Sequence, residues 1–138
     1  MNNFKIKMSE IVKNADLTSL SNDILSNLTE LQIKVNKVRE AYGKPLTVTS
    51  GLRTMEDHLR IYKDKGITDQ SKIPMKSKHL SGEAVDFSDP KQELQAWCLA
   101  NVAKLEEIGL WCEDFSATKN WVHFQSVPPK SGNRFFKP

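Results

Sequence analysis

Residues 77–86 read SKHLSGEAVD, and the stretch ends in the alternating pattern of a β-strand. The alternation predicts a strand over 83–88, in which Val85 and Phe87 face one side and Asp86 faces the other, because successive strand side chains point to opposite faces. The apolar pair favours packing of its face against a core. Asp86 is therefore expected on the open face of a sheet.

A second strand with the same parity is predicted at residues 121–125, WVHFQ. Val122 and Phe124 share its apolar face, and His123 points away from them. If both apolar faces pack against helices and the two strands pair, Asp86 and His123 converge on the open face.

His79 precedes the first strand, and Gly82 leaves the chain free to bring the imidazole toward Asp86 and His123. Two imidazoles and one carboxylate form a standard catalytic zinc set with a fourth position open for water or substrate. His79, Asp86 and His123 are therefore candidate ligands of a metal, and Zn²⁺ is the candidate cofactor. Strand parity alone leaves an alternative to a metal site, in which the histidines are ordinary surface or core residues and Asp86 caps the following turn.

Outward from these strands, the sequence predicts an α+β fold with helices packed against a small antiparallel sheet. The predicted elements, in chain order, are a helix over about 24–42 ending at Gly43, a strand over 46–49, a helix over about 56–65, the strand over 83–88, a helix from Pro90 to Gly109, and a hairpin of strands 110–113 and 121–125. We interpret His58 as an exposed residue of the second helix.

The composition predicts one globular domain over 1–138, with its core at about 20–126 and a basic tail containing Pro and Gly at 127–138. The net charge of +3 suits an anionic partner, but Lys and Arg are spread along the chain, so we predict no nucleic-acid partner. Cys98 and Cys112 are expected as buried free thiols.

The N-terminal twelve residues lack the apolar run of a secretory signal, and no apolar stretch reaches the length of a membrane span. These two observations predict no membrane partner, and a protein that stays in a cytoplasm unless something releases it.

Three motifs carry a resemblance to a known family. Residues 77–86 match Ser-x-His-x-x-Gly-x-Ala-x-Asp, residues 121–123 match Trp-x-His, and residues 50–53 match Ser-Gly-x-Arg. Together they resemble the zinc D-Ala-D-Ala carboxypeptidases and the L-alanyl-D-glutamate endopeptidases of phage endolysins, whose fold is shared with the Hedgehog signalling domain. The resemblance runs from the first long helix to Gln125 and implies a zinc peptidase that cuts peptidoglycan stem peptides.

The resemblance implies the same three zinc ligands as the parity argument. It also implies that Arg53 is a catalytic and substrate-binding cation, a role that suits a permanently charged guanidinium facing a carbonyl or carboxylate. Ser77 resembles the family's substrate-binding serine, and we assign Trp121 to substrate binding as well.

One position departs from the family pattern. Family members usually carry Glu or Asp three residues before the last histidine as the general base, and this chain has Asn120, whose amide takes no proton at neutral pH. Either the site is inactive or another carboxylate serves. Glu113 and Asp114 are the candidates, and parity favours Glu113, because a core-facing Leu110 puts Glu113 on the side of the metal ligands.

A wall-degrading enzyme without an export signal needs a route to its substrate. We therefore predict a phage endolysin released from the host cytoplasm by a holin, or a virion component whose partners are phage structural proteins. The alternative is a catalytically impaired zinc-binding domain with a structural or wall-binding role.

Overall fold

The computed structural model describes residues 5–13, 17–75 and 77–137. Its helices are α1 (Met8–Val12), α2 (Asn22–Tyr42), α3 (Met55–Asp64), α4 (Glu93–Ala100) and α5 (Val102–Ile108). Its strands are β1 (Val48–Ser50), β2 (Ala84–Ser88), β3 (Trp111–Glu113), β4 (Trp121–Gln125) and β5 (Phe135–Phe136). These elements confirm the predicted α+β class. The predicted domain over 1–138 extends beyond the described residues at both ends and stays a prediction.

The strands form a single sheet in the order β1-β2-β4-β3-β5. β2 and β4 pair antiparallel at its centre, with Asp86 directly opposite His123. Ser50 of β1 lies opposite Asp86 on the other side. The predicted convergence of Asp86 and His123 is therefore confirmed.

We predicted a purely antiparallel sheet, and this prediction is wrong at one edge, where the C-terminal tail adds a parallel strand. β5 pairs parallel with β3, with Cys112 opposite Phe135. The Cys112 amide donates to the Arg134 carbonyl at 2.8 Å, and the Asp114 amide donates to the Phe136 carbonyl at 2.6 Å. The tail thus covers backbone groups that an edge strand would otherwise leave unpaired.

A shared hydrophobic core orients the central strands and α2. α2 ends at Gly43 with φ of +80°, as predicted. The buried side chains of this core that come from α2, β2 and β4 are Leu28, Leu31, Val35, Val38, Val85, Phe87, Val122 and Phe124. Burying one side chain of this size stabilises the fold by about 1.5–3 kcal/mol. Both strands therefore keep their apolar faces inward and hold their polar residues on the opposite face.

His58 was predicted as exposed, and this prediction is wrong. Its side chain on α3 is fully buried, packs edge-on against Tyr62 and donates from Nε2 to the Pro74 carbonyl at 2.8 Å. Burial lowers the pKa of His58, which keeps the ring neutral. The contact ties α3 to the loop that leads to His79.

The helix predicted to open at Pro90 begins instead at Glu93. The buried carboxylate of Asp89 accepts hydrogen bonds from the amides of Leu94 at 3.0 Å and Gln95 at 2.9 Å. A carboxylate at the helix start satisfies amides that have no partner within the helix. The start of α4 is therefore set by the side chain of Asp89, which lies four residues before the helix begins.

Among the described residues, no helix is both long and apolar enough to span a bilayer.

We predict that Asp89→Ala lowers the free energy of unfolding by about 1–3 kcal/mol, because two buried amides lose a charged acceptor. Urea denaturation monitored by circular dichroism measures the change. The matched control is Asp69→Ala, since Asp69 caps the exposed Ser71 amide in the same way. The control should cost less than Asp89→Ala, and equal losses would contradict this role for Asp89.

Candidate metal centre

Three side chains from different parts of the chain meet on the open face of the sheet. Asp86 comes from β2, His123 from β4, and His79 from the loop before β2. His123 Nδ1 lies 2.9 Å from Asp86 Oδ1, and His79 Nε2 lies 3.3 Å from Asp86 Oδ2. All three residues are buried, and one potential ligand atom from each lies within 4.8 Å of the others. The sequence predicted this cluster in full.

A backbone carbonyl orients His79. Its Nδ1 donates to the Gly51 carbonyl at 2.8 Å, which leaves the Nε2 lone pair facing Asp86. Gly51 packs so closely on α1 that an added Cβ would collide with the Ile11 carbonyl oxygen. The Leu52 amide donates to that same oxygen at 2.9 Å. The space at the second position of the Ser-Gly-x-Arg motif therefore admits only glycine. The carbonyl of this glycine fixes the orientation of the His79 ring.

The charges of the cluster depend on each other. Burial would raise the pKa of Asp86, but hydrogen bonds from His123 and His79 outweigh it and lower the pKa to about 2. Burial would lower the pKa of His123, but the hydrogen bond and charge of Asp86 outweigh it and raise the pKa above 6.5. Without a metal, the carboxylate is therefore ionised and His123 readily holds a second proton.

The donor set fits a zinc ion. Ligand atoms about 2.0 Å from a tetrahedral zinc ion lie roughly 3.3 Å apart, and one potential ligand atom from each of the three residues lies within 4.8 Å of the others. The ion would replace the proton between His123 and Asp86 as the positive charge that neutralises the buried carboxylate. Two nitrogens and one oxygen from the protein leave a coordination position for water or substrate.

Arg53 lies beside the cluster, as the motif implied. Its Nε donates to the Ser50 hydroxyl at 3.1 Å, and its Nη2 lies 3.9 Å from Asp86 Oδ2. The Arg53 amide also donates to the His79 carbonyl at 3.1 Å. The guanidinium is therefore held at the edge of the cluster by both its side chain and its backbone.

A cleft of about 700 Å³ opens over these residues. The predicted substrate residues Ser77 and Trp121 both line it. The cationic side chains of its wall are Arg53, Lys65, Lys78 and Lys130. In the described part of the chain, its acidic lining residues are Asp86 and Glu113. Cations outnumber acids in the wall, which favours an anionic ligand.

The structure separates the two candidate bases. β3 pairs with β4 so that Cys112 lies opposite Phe124, and continuing this register by one residue brings Glu113 to the level of His123. Glu113 lines the cleft, and burial raises its pKa. Asp114 instead accepts hydrogen bonds from the exposed Ser116, and this bonding lowers its pKa. Only Glu113 of the two therefore faces the metal ligands.

Asn120, at the family's usual base position, is exposed and lies outside the cleft lining, and its carbonyl accepts from the Asp89 amide at 2.8 Å.

Sequence reasoning missed Gln125, whose Oε1 lies 3.0 Å from His123 Nε2. Its parity with His123 was visible in the sequence, but its contact with the imidazole depends on rotamers. Lys65 and Lys130 were also missed, because α3 and the tail reach the cleft only through the fold.

We predict that zinc affinity rises with pH and then levels off. The pKa of His123 is raised above 6.5, so below that pKa zinc must displace a proton from the ring, and above it the ring is already neutral. The apparent affinity should increase about tenfold per pH unit below the pKa. Competition with a chromophoric chelator between about pH 5.5 and 8 measures this, and a flat profile across that range would contradict it.

Residues 2–125 match the family model of peptidase M15. The structure is similar to the crystal structure of Serratia marcescens L-Ala D-Glu endopeptidase ChiX, with a TM-score of 0.51 and 20% sequence identity over 83% of this chain and 93% of that chain. No curated protein matches the sequence. At this identity, the structural similarity shows a shared fold. Because the family match spans nearly the whole chain, the chain belongs to the peptidase M15 family of metallopeptidases.

Proposed function

We propose that the chain is a zinc-dependent peptidase that hydrolyses peptide bonds in peptidoglycan stem peptides. The observation that carries the proposal is the buried cluster of His79, Asp86 and His123 at the base of an open cleft, with a carboxylate beside it. The family match supports peptide hydrolysis, and the similarity to an L-Ala D-Glu endopeptidase supports the stem-peptide substrate.

His79, Asp86 and His123 would hold the metal, and Glu113 and Arg53 would act on the substrate. Bound zinc supplies a Lewis acid that polarises a carbonyl and makes water more acidic. The Glu113 carboxylate, which lines the cleft together with His123, takes a proton from the attacking water and delivers it to the leaving amine. Its raised pKa brings the group closer to neutral pH, where a base that must later act as an acid works best.

The fixed position of Arg53 supports a role in binding the substrate. The Ser50 hydroxyl and the Asp86 carboxylate hold the guanidinium at the edge of the cluster. Held there, its N–H groups bind the substrate carbonyl or a neighbouring carboxylate without first losing side-chain freedom.

The charge of the cleft supports an acidic peptide as substrate. Stem peptides carry free carboxylates, and these would meet the cationic wall formed by Arg53, Lys65, Lys78 and Lys130. Trp121 and Tyr62 add flat apolar surface beside those charges.

The predicted delivery by a holin, or within a virion, stays a prediction.

Asn120 favours a second candidate, a zinc-binding domain that has lost activity and acts as a structural or wall-binding protein. This candidate shares the metal cluster but gives no role to Glu113. The two candidates therefore differ in turnover and agree in metal content.

We predict that purified protein binds about one zinc ion per chain and releases new amino termini from peptidoglycan, and that a chelator stops the release until zinc is restored. Zinc content is measured by atomic emission, and products by mass spectrometry. New termini on D-Glu would identify an endopeptidase, and free D-Ala a carboxypeptidase. Zinc without cleavage of several wall types would support the second candidate, and no zinc after reconstitution would overturn the metal centre.

We predict that Glu113→Gln keeps zinc but lowers kcat by about 100- to 10,000-fold, because the amide takes no proton. Asp114→Asn is the matched control, since that residue caps an exposed turn, and it should retain activity. Steady-state kinetics on a stem tetrapeptide, with zinc content measured in parallel, tests both variants. An active Glu113→Gln enzyme would remove Glu113 as the base.

A further inference from the structure

We propose that Gln125 is a positioning residue that selects which nitrogen of His123 is presented to the metal. The inference rests on the metal centre of the proposed function. It assigns Nδ1 of His123 as the ligand atom and gives Gln125 the task of keeping the proton on Nε2.

The orientation of the Gln125 amide is fixed by a second contact. Its Nε2 donates to the Val127 carbonyl at 3.0 Å, which turns its Oε1 toward His123 Nε2 at 3.0 Å. Gln125 is 4% exposed, so water does not compete freely for either contact. A flipped amide would face an N–H group toward the imidazole and an oxygen toward the Val127 carbonyl, losing the bond to Val127.

The fixed amide oxygen determines the tautomer of His123. An amide oxygen only accepts hydrogen bonds, so the nitrogen that faces it must carry a proton. A neutral imidazole has one N–H, and placing it on Nε2 leaves the lone pair on Nδ1. That Nδ1 lies 2.9 Å from Asp86 Oδ1, on the side where the metal ligands meet.

His79 uses the opposite arrangement. Its Nδ1 donates to the Gly51 carbonyl, so its Nε2 is the free nitrogen. The two histidines thus face the metal position through different nitrogens, each set by an acceptor behind the ring. His79 relies on a backbone carbonyl, which no substitution removes, whereas His123 relies on a side chain, which can be changed.

The experiment compares zinc affinity in two variants of Gln125. Gln125→Met keeps the length of the side chain and removes the acceptor, and we expect about 10- to 100-fold weaker zinc binding. Gln125→Glu keeps an acceptor oxygen and should retain most of the affinity. Competition with a chromophoric chelator measures both, and urea unfolding of the zinc-free proteins reports any loss of stability separately.

Gln95→Met is the matched control. Gln95 is also a buried glutamine beside β4, but its amide donates to backbone carbonyls, among them that of Thr118, and does not contact a metal ligand. This variant should lose stability and keep its zinc affinity. Equal zinc loss in Gln95→Met and Gln125→Met would reduce Gln125 to a structural role and overturn the proposal.

A second measurement needs no variant. Long-range proton–nitrogen NMR spectra of the zinc-loaded protein distinguish the protonated ring nitrogen of His123 from the coordinated one. Protonated Nε2 supports the proposal, and coordinated Nε2 overturns it. Both measurements report metal binding and not peptidase activity. A zinc-loaded protein without peptidase activity would therefore overturn the proposed function, and the role of Gln125 would still be tested. A wild-type protein that binds no zinc would overturn both.

Discussion

The burial of the Asp86 carboxylate between two imidazoles is the constraint on which the rest of the site depends. Removing a charge from water costs several kcal/mol unless partners compensate it. His123 and His79 compensate it directly, and Arg53 adds a more distant positive charge. The same arrangement that makes the carboxylate stable also creates a set of metal donors, so fold stability and metal binding are two results of one interaction.

The sheet maintains that interaction through its register. Asp86 faces His123 because Val85 pairs with Phe124 and Phe87 with Val122, and both pairs are buried in the hydrophobic core that α2 shares. A slip of one residue would turn the apolar side chains outward and bury the polar ones. The hydrophobic core thus controls the geometry of a site on the opposite face of the sheet.

Local patterns predicted the parts of the structure that depend on local physics. Strand parity placed Asp86 and His123 together, and the αL glycine ended α2 where the sequence indicated. His58 could not be predicted, because its burial depends on a contact with the Pro74 carbonyl from a later loop. The start of α4 depends on a distant cap from Asp89. The β5 strand pairs parallel with β3 across the fold, and no short-range signal identifies such a partner.

The contact between Gly51 and Ile11 makes the metal centre dependent on α1. The carbonyl that orients His79 is held in place by α1, which contributes no ligand and does not line the cleft. Displacement of α1 would therefore disturb His79 and would also open the core that Ile11 and Val12 share with the central strands. A helix that supplies no ligand is consequently one of the supports of the metal centre, even though it lies far along the sequence from every ligand.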